Sequence, residues 1–232
     1  MDRKKTAKKP FSAELAYILG IAAIAFATAL MERADFGMSM VVAPAYILHV
    51  WISRYAPWYT FGMSEYILQG ALLLTLVCVM GRFKKGYLFS FVTAVIYGFM
   101  LDGFVALAAL LPLGGWAGRT IYYLSGMAVC ALGVALVFHT YIAPEVYELF
   151  VKEISQKTGR DTSLVKTLYD CISCAIGVAL SFILFGWGRF VGVKWGTVVC
   201  ALVNGWLIGV CAKWLDKRFE FHDSLPMRKH FS

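Results

Sequence analysis

Gly-Ala-Leu-Leu at residues 70–73 returns 107 residues later as Gly-Val-Ala-Leu at 177–180. Its neighbours strengthen the match. Ala29-Leu30 recurs as Ala135-Leu136, an offset of 106, and Ser90, Ala94, Gly98 and Phe99 recur as Thr197, Ala201, Gly205 and Trp206. Apolar helices resemble one another, so any one match is weak. A nearly constant offset over three segments predicts that the chain contains one unit twice. Internal repeats in a small polytopic protein are a common transporter signature.

The composition sets the environment. The 232 residues are 60% hydrophobic and 16% charged, with a mean hydropathy of +0.69. Soluble domains carry about a quarter charged residues, so the chain reads as an integral membrane protein with no room for a separate soluble domain. The net charge of +8 does not point to nucleic acid, because Lys and Arg cluster at segment ends instead of forming one basic face. Six cysteines (Cys78, Cys130, Cys171, Cys174, Cys200 and Cys211) lie in apolar segments, and no disulfide framework is expected. Cys171 and Cys174 form a CxxC, but without a second Cys or His pair beside it the motif reads as helix packing.

Six apolar runs are long enough to span: about 14–33, 61–81, 87–111, 119–140, 162–186 and 193–215. Ala27-Thr28-Ala29 imitates a signal-peptidase site, but the same stretch opens the first repeat and is read as a retained span. Two further segments fit less well. Residues 37–53 contain Pro44 and barely reach across a ~30 Å core at ~1.5 Å per residue. Their counterpart, about 143–157, carries Glu145, Glu148, Lys152, Glu153 and Lys157 and cannot face lipid. Both contain Ala-Pro (Ala43-Pro44 and Ala143-Pro144) and read as broken, re-entrant or interfacial helices. The Gly-rich stretch 112–118 is the seam between the halves. Repeat one covers about 12–111 and repeat two about 119–215, with polar tails at 1–11 and 216–232, all in one membrane domain.

Charge counting orients these spans. With the N-terminus inside and both odd segments non-spanning, only Arg33, Arg54, Arg119, Arg189 and Lys194 fall outside, and the other seventeen of 22 Lys/Arg fall inside. This follows the positive-inside rule and places both termini in the cytoplasm. Three spans per repeat is an odd number, so the second copy enters from the opposite side and the repeat is inverted.

The stretches ALMERADFGMS (29–39), GVALVFHTYIAPEVYELFVKEISQKTG (133–159), SLVKTLYDCISCAIG (163–177) and GVKWGTVVCALVNGWLIG (192–209) resemble the YczE/YyaS/YitT-type group of small bacterial membrane proteins. The resemblance covers roughly residues 18–215. Its most specific parts are Gly196, Thr197 and Gly205 on one helix and Lys166 with Asp170 on another. The chain departs from the group's acidic pattern after the first turn, with Met40-Val41-Val42 in repeat one and Val146-Tyr147-Glu148 in repeat two; only Glu148 keeps the acid. The resemblance implies a multi-span protein of a bacterial cytoplasmic membrane, often guessed to be a transporter, and says little of its substrate.

Charges within apolar spans cost about 2.5–3.5 kcal/mol on insertion scales and need a reason. Asp170 lies two turns into its span, with Lys166 one turn earlier on the same face. The pair reads either as a self-neutralising ion pair or as a cation or proton site. Asp102 lies between Leu101 and Gly103 with no basic neighbour in sequence, and reads equally as structural or functional. Glu65 and Gln69 are one turn apart at a span start, where Glu65 is expected to be interfacial. Glu32, Arg33 and Asp35 end the first span as a solvated helix end or as a gate beside Gly37, which would allow close backbone approach. His139 takes the place of Arg33 in repeat two and reads as a structural helix-end residue or a titrating one. Glu145 and Glu148 suit either a cation site or a surface amphipathic helix paired with Lys152. Asn204 can bond across helices or contact a solute. Tyr122, Tyr123, Trp187, Trp195 and Trp206 read as interface belts and packing.

No phosphate loop, nucleophile elbow or His-x-x-x-His pair is present, so neither enzyme activity, cofactor nor metal site is expected. The sequence therefore predicts an all-α membrane protein of six transmembrane helices and two broken or re-entrant ones, arranged as an inverted repeat. The leading functional expectation is secondary transport of a small solute or ion by alternating access. The site is expected near mid-membrane, with Asp170, Asp102, Asn204 and the turns around Gly37 and Ala143 contributing. The alternatives are a substrate-capture subunit of a multisubunit importer and a non-transporting scaffold or assembly factor. Expected partners are the lipid bilayer and an unidentified small solute, with a homodimer left open.

Overall fold

The computed structural model describes residues 8–142, 144–160 and 162–223. In chain order the described elements are β1 (Lys9–Ser12), α1 (Ala13–Ala34), α2 (Ala43–Ile52), α3 (Phe61–Met80), α4 (Lys85–Ala109), α5 (Gly115–Phe138), α6 (Val146–Thr158), α7 (Thr162–Phe185), α8 (Trp195–Arg218) and β2 (Phe219–His222). Six helices, α1, α3, α4, α5, α7 and α8, are long and apolar enough to cross a membrane. They match the six apolar runs, and a lipid bilayer is the environment their surfaces fit.

Local chemistry sets the helix ends. The Ser12 side chain accepts from the Leu15 N–H at 3.4 Å and opens α1, and Thr60 does the same for Met63 at 3.2 Å to open α3. Such caps satisfy N–H groups that the helix itself leaves free. Asp35, with φ 54°, closes α1 in the left-handed region. Pro44 lies in the first turn of α2, where its missing N–H breaks no helical bond.

α1 and α5 form the centre of the bundle, crossing antiparallel on small residues. A Cβ added to Gly20 would lie 2.9 Å from the Gly133 carbonyl oxygen, and one added to Gly126 would lie 3.1 Å from that of Ala27. Without a hydrophobic drive between helices in lipid, such close backbone approach supplies the packing energy.

Around this pair, α4 packs on α1 and α8 on α5; α2 packs on α3 and α7, and α6 on α3, α7 and α4. The two short helices run along half of a long neighbour. α6 starts beside Gln69, midway along α3, and its Lys157 ammonium donates to the Val79 carbonyl near the end of α3. α2 starts beside Gly177, midway along α7, and the residues after it place Arg54 over the Phe185 ring at the end of α7. Each is a single continuous helix that runs alongside only part of its long neighbour.

One pair breaks the pattern. α3 and α4 cross closely: a Cβ on Gly62 would lie 2.2 Å from the Gly98 carbonyl oxygen. α7 and α8 make far less contact with each other than α3 and α4 do among the described residues. Gly205, the sequence match of Gly98, has nothing within 4 Å of where its Cβ would stand.

The tails correct the sequence reading. β1 and β2 pair as a parallel two-stranded sheet, Lys9 with Phe219 through Ser12 with His222, where polar tails were expected. Phe11 packs edge-on against Phe219 and Phe221, so the segment before α1 and the segment after α8 meet. α8 continues to Arg218, past the expected end at 215, and α5 begins at Gly115, inside the expected seam of 112–118. Ala143 and the basic residues Arg3, Lys4, Lys5, Arg228 and Lys229 lie outside the described residues.

Candidate functional site

Gln69 is the hub of a buried polar cluster where α3 meets the first turn of α6. Its Oε1 accepts from the Val146 N–H at 3.1 Å. α6 has no capping bond from its own N-cap side chain, Glu145, so α3 supplies the acceptor that this helix start needs. That bond fixes the amide orientation and turns Nε2 toward two carboxylates: Glu145 Oε2 at 3.0 Å and Glu65 Oε2 at 3.4 Å. Tyr147 donates its hydroxyl to the same Glu65 oxygen at 2.9 Å.

Glu65 and Gln69 are both 0% exposed and Glu145 is 7% exposed. Glu65, expected at an interface, and Glu145, for which a surface helix was one of two readings, are both enclosed by protein. Burial holds the Glu145 carboxyl well above the usual carboxylate range, and repulsion from Glu148 and Glu65 adds to it. Glu65 Oε1 is buried with no hydrogen-bond partner, which carries a cost unless a donor reaches it.

A second group joins from α7. Lys166 donates to Asp170 Oδ1 at 3.0 Å, so the i,i+4 ion pair forms. Glu148, partly buried, is raised by burial; Lys166 opposes that shift and Asp170 adds to it. The Lys166 charge acts on Glu148 from a different helix while Lys166 itself is paired with Asp170, and Lys152 is exposed. Tyr169 also feels Glu148, Asp170 and Glu65.

The other expected site residues lie elsewhere. Asp102 on α4 accepts from the Gly62 N–H at 2.7 Å and so caps α3 at the opposite end from the α6 contact with Val79. Its neighbour in charge is His49 of α2, whose ring stacks on Phe61. Asp35 pairs with Arg119 at 3.0 Å and Lys194 at 2.5 Å, joining the end of α1 to the starts of α5 and α8. Gly37, with φ +112°, lies against Lys194 and Thr197; a Cβ there would stand 2.6 Å from the Thr197 hydroxyl. His139 meets Asp216 at 3.0 Å beside the paired tails. Asn204 on α8 has a buried Oδ1 without a partner and reaches Cys130 on α5. Tyr123, read as an interface residue, is 1% exposed and donates to the Gly196 carbonyl.

Sequence reasoning missed Tyr147 and Tyr97. Tyr97 is fully enclosed, bonds Thr28 at 3.0 Å, and interacts with Glu65 and Glu145. Its signal was the stripe Ser90, Ala94, Tyr97, Leu101, which keeps one helix face toward the core and is buried throughout. Tyr147 carried no such signal, because only the return of α6 onto α3 buries it.

Residues 11–213 match a family of unknown function (DUF6198), and the chain belongs to it. No curated protein and no solved structure matches the chain at a significant level.

Proposed function

We propose that this member of the DUF6198 family is a secondary transporter that moves a small solute across the membrane by alternating access between two inverted halves. The likeness to YczE/YyaS/YitT-type proteins supports the same reading. The observation that carries it is the buried Glu65–Gln69–Glu145 hub, midway along α3, where the short helix α6 begins. Ionisable groups at such a depth mark substrate, ion or proton pathways. Binding sites formed at the starts of half-depth helices are the rule in transporters built from inverted repeats.

The packing supports two related halves. The Gly20–Gly133 contact becomes the Gly126–Ala27 contact when each residue is moved by the 106-residue offset. The same exchange relates α1–α4 to α5–α8, α2–α3 to α6–α7, and α2–α7 to α3–α6. Tyr17, bonded to Thr93 of α4 at 2.5 Å, has its counterpart in Tyr123, bonded to α8. Closely packed α3–α4 and separated α7–α8 are then one of two states, the other having these roles reversed. Glu65 and Glu145, rather than Asp102, couple a proton to that change. They sit where α3 grips α6, and α6 in turn packs on α4.

Purified protein in proteoliposomes with a trapped pH indicator tests this reading against a solute panel. A solute-dependent pH change, lost in Glu65→Gln and Glu145→Gln, is the expected result. Silence across cationic, anionic and neutral solutes, in protein that remains folded, would favour a scaffold.

A further inference from the structure

We propose that the Glu65–Gln69–Glu145 site takes a small organic ammonium ion, bound through its N–H groups. The inference deepens the transport reading by naming its substrate class, but the binding claim stands or falls separately.

The hub has more buried acceptors than donors to fill them. Glu65, 0% exposed, uses one carboxylate oxygen on Gln69 and Tyr147 and leaves the other without a partner. With both glutamates ionised, the state that would take up a cation, the donors at the hub are already engaged: Gln69 Nε2 on the two glutamates, Tyr147 on Glu65 and the Val146 N–H on Gln69. Asn204 leaves a second buried acceptor unfilled beside Cys130, which in turn interacts with Glu145 and Glu148. A ligand that completes this site must therefore bring donors.

Charge points the same way. The titratable groups in electrostatic reach of the hub, directly or through Glu148 and Cys130, are Tyr17 from α1, Glu65 from α3, Tyr97 from α4, Cys130 from α5, Glu145, Tyr147 and Glu148 from α6, Lys166, Tyr169 and Asp170 from α7, and Cys200 from α8. Four of these are carboxyls and one is a cation, and that cation is held by Asp170. An anionic solute would meet uncompensated repulsion. A multivalent metal lacks its ligand set, since no three His, Cys, Asp or Glu side chains among the described residues converge to hold one. An ammonium group supplies both the N–H donors and the single positive charge. Exchange of this cation for a proton on Glu65 or Glu145 keeps the site's charge constant.

Thermal unfolding of the full chain in detergent tests the site, with methylammonium, ethylammonium and guanidinium chloride as probes. Potassium chloride at equal ionic strength and acetamide serve as controls. The expected result is a saturable rise in Tm, about 5–10 °C at a hundred times Kd, given by an ammonium and not by potassium or acetamide. It is lost in Glu65→Gln and kept in Glu220→Gln on the exposed β2. Should Glu65→Gln fail to fold, Glu145→Gln reads the same loss. No saturable shift with any of the three probes overturns the proposal, as does a shift matched by potassium chloride or undiminished in both glutamine variants. An ammonium that binds but moves no protons in proteoliposomes would sink the transport reading and leave this site standing. Proton flux driven only by an anionic or neutral solute would do the reverse.

Discussion

The Tyr147 hydroxyl donates to Glu65 Oε2 at 2.9 Å and ties the first turn of α6 to α3. Both residues are buried, at 4% and 0% exposure, so no water replaces the bond when it is removed. Tyr147→Phe is expected to lower unfolding stability by about 1–3 kcal/mol, the cost of a buried acceptor losing its donor. Tyr122→Phe, which removes a bond from the exposed Tyr122 hydroxyl to the Pro112 carbonyl, should change stability by less than about 1 kcal/mol. Unfolding of both variants in one detergent checks the contrast.

Gly98 and Gly205 are paired by the proposed repeat but differ in surroundings. A Cβ on Gly98 would stand 2.9 Å from the Tyr66 ring and 3.1 Å from the Gly62 carbonyl oxygen, while one on Gly205 meets nothing within 4 Å. Gly98→Leu should therefore overpack α3 against α4 and cost about 1–3 kcal/mol or more. Gly205→Leu should fold with near-normal stability yet abolish solute-dependent flux, because the second state brings α7 onto α8 at this position. A Gly205→Leu protein with full flux would remove that state from the account.

Two glutamates of the α6 region predict opposite pH responses. Burial acts to raise the Glu153 carboxyl, but bonds from Lys84 at 2.6 Å and Tyr87 at 2.8 Å outweigh it and hold the group below its usual range. Its contribution is present above the ordinary carboxylate pKa and is lost as pH falls through the lowered one. Glu145 is raised by burial and by Glu148 and Glu65. Its contribution is fully present below the ordinary carboxylate pKa and is lost as pH rises through the raised one. Unfolding midpoints from about pH 2 to about pH 9, a range that starts well below the ordinary carboxylate values, should show this. Glu145→Gln should flatten the alkaline fall. Glu153→Gln should lose about 1.5–3 kcal/mol near neutrality and flatten the acid fall.

The six spans were legible because each is a run of about 20 apolar residues, and membrane length enforces that pattern. The short helices were legible from what disqualified them as spans, Pro44 in one and five charges in the other. The hub was legible only in its members. Glu65 stands four residues into α3, which in sequence suggests an interface. It is buried because Tyr147, 82 residues later, folds back onto it. The i,i+4 rule likewise suggested Lys152 for Glu148, whereas Lys152 is exposed and the Lys166 charge acts on Glu148 from a separate helix. The terminal sheet escaped notice because its strands are four residues each and lie at opposite ends of the chain. Phe219-Glu220-Phe221-His222 does alternate apolar and polar, but a segment that short carries little weight alone.

The account's central claim is that packing exchanges between α3–α4 and α7–α8 under control of the buried carboxyls. Amide hydrogen exchange measured by mass spectrometry on the reconstituted chain, at pH values on either side of neutrality and corrected for intrinsic rates, tests this most directly. The account predicts reciprocal change: peptides of α7 and α8 gain protection where those of α3 and α4 lose it, and Glu65→Gln removes the pH dependence in both pairs. Unchanged protection in both pairs at every pH, or a parallel rise and fall of the two, would contradict it.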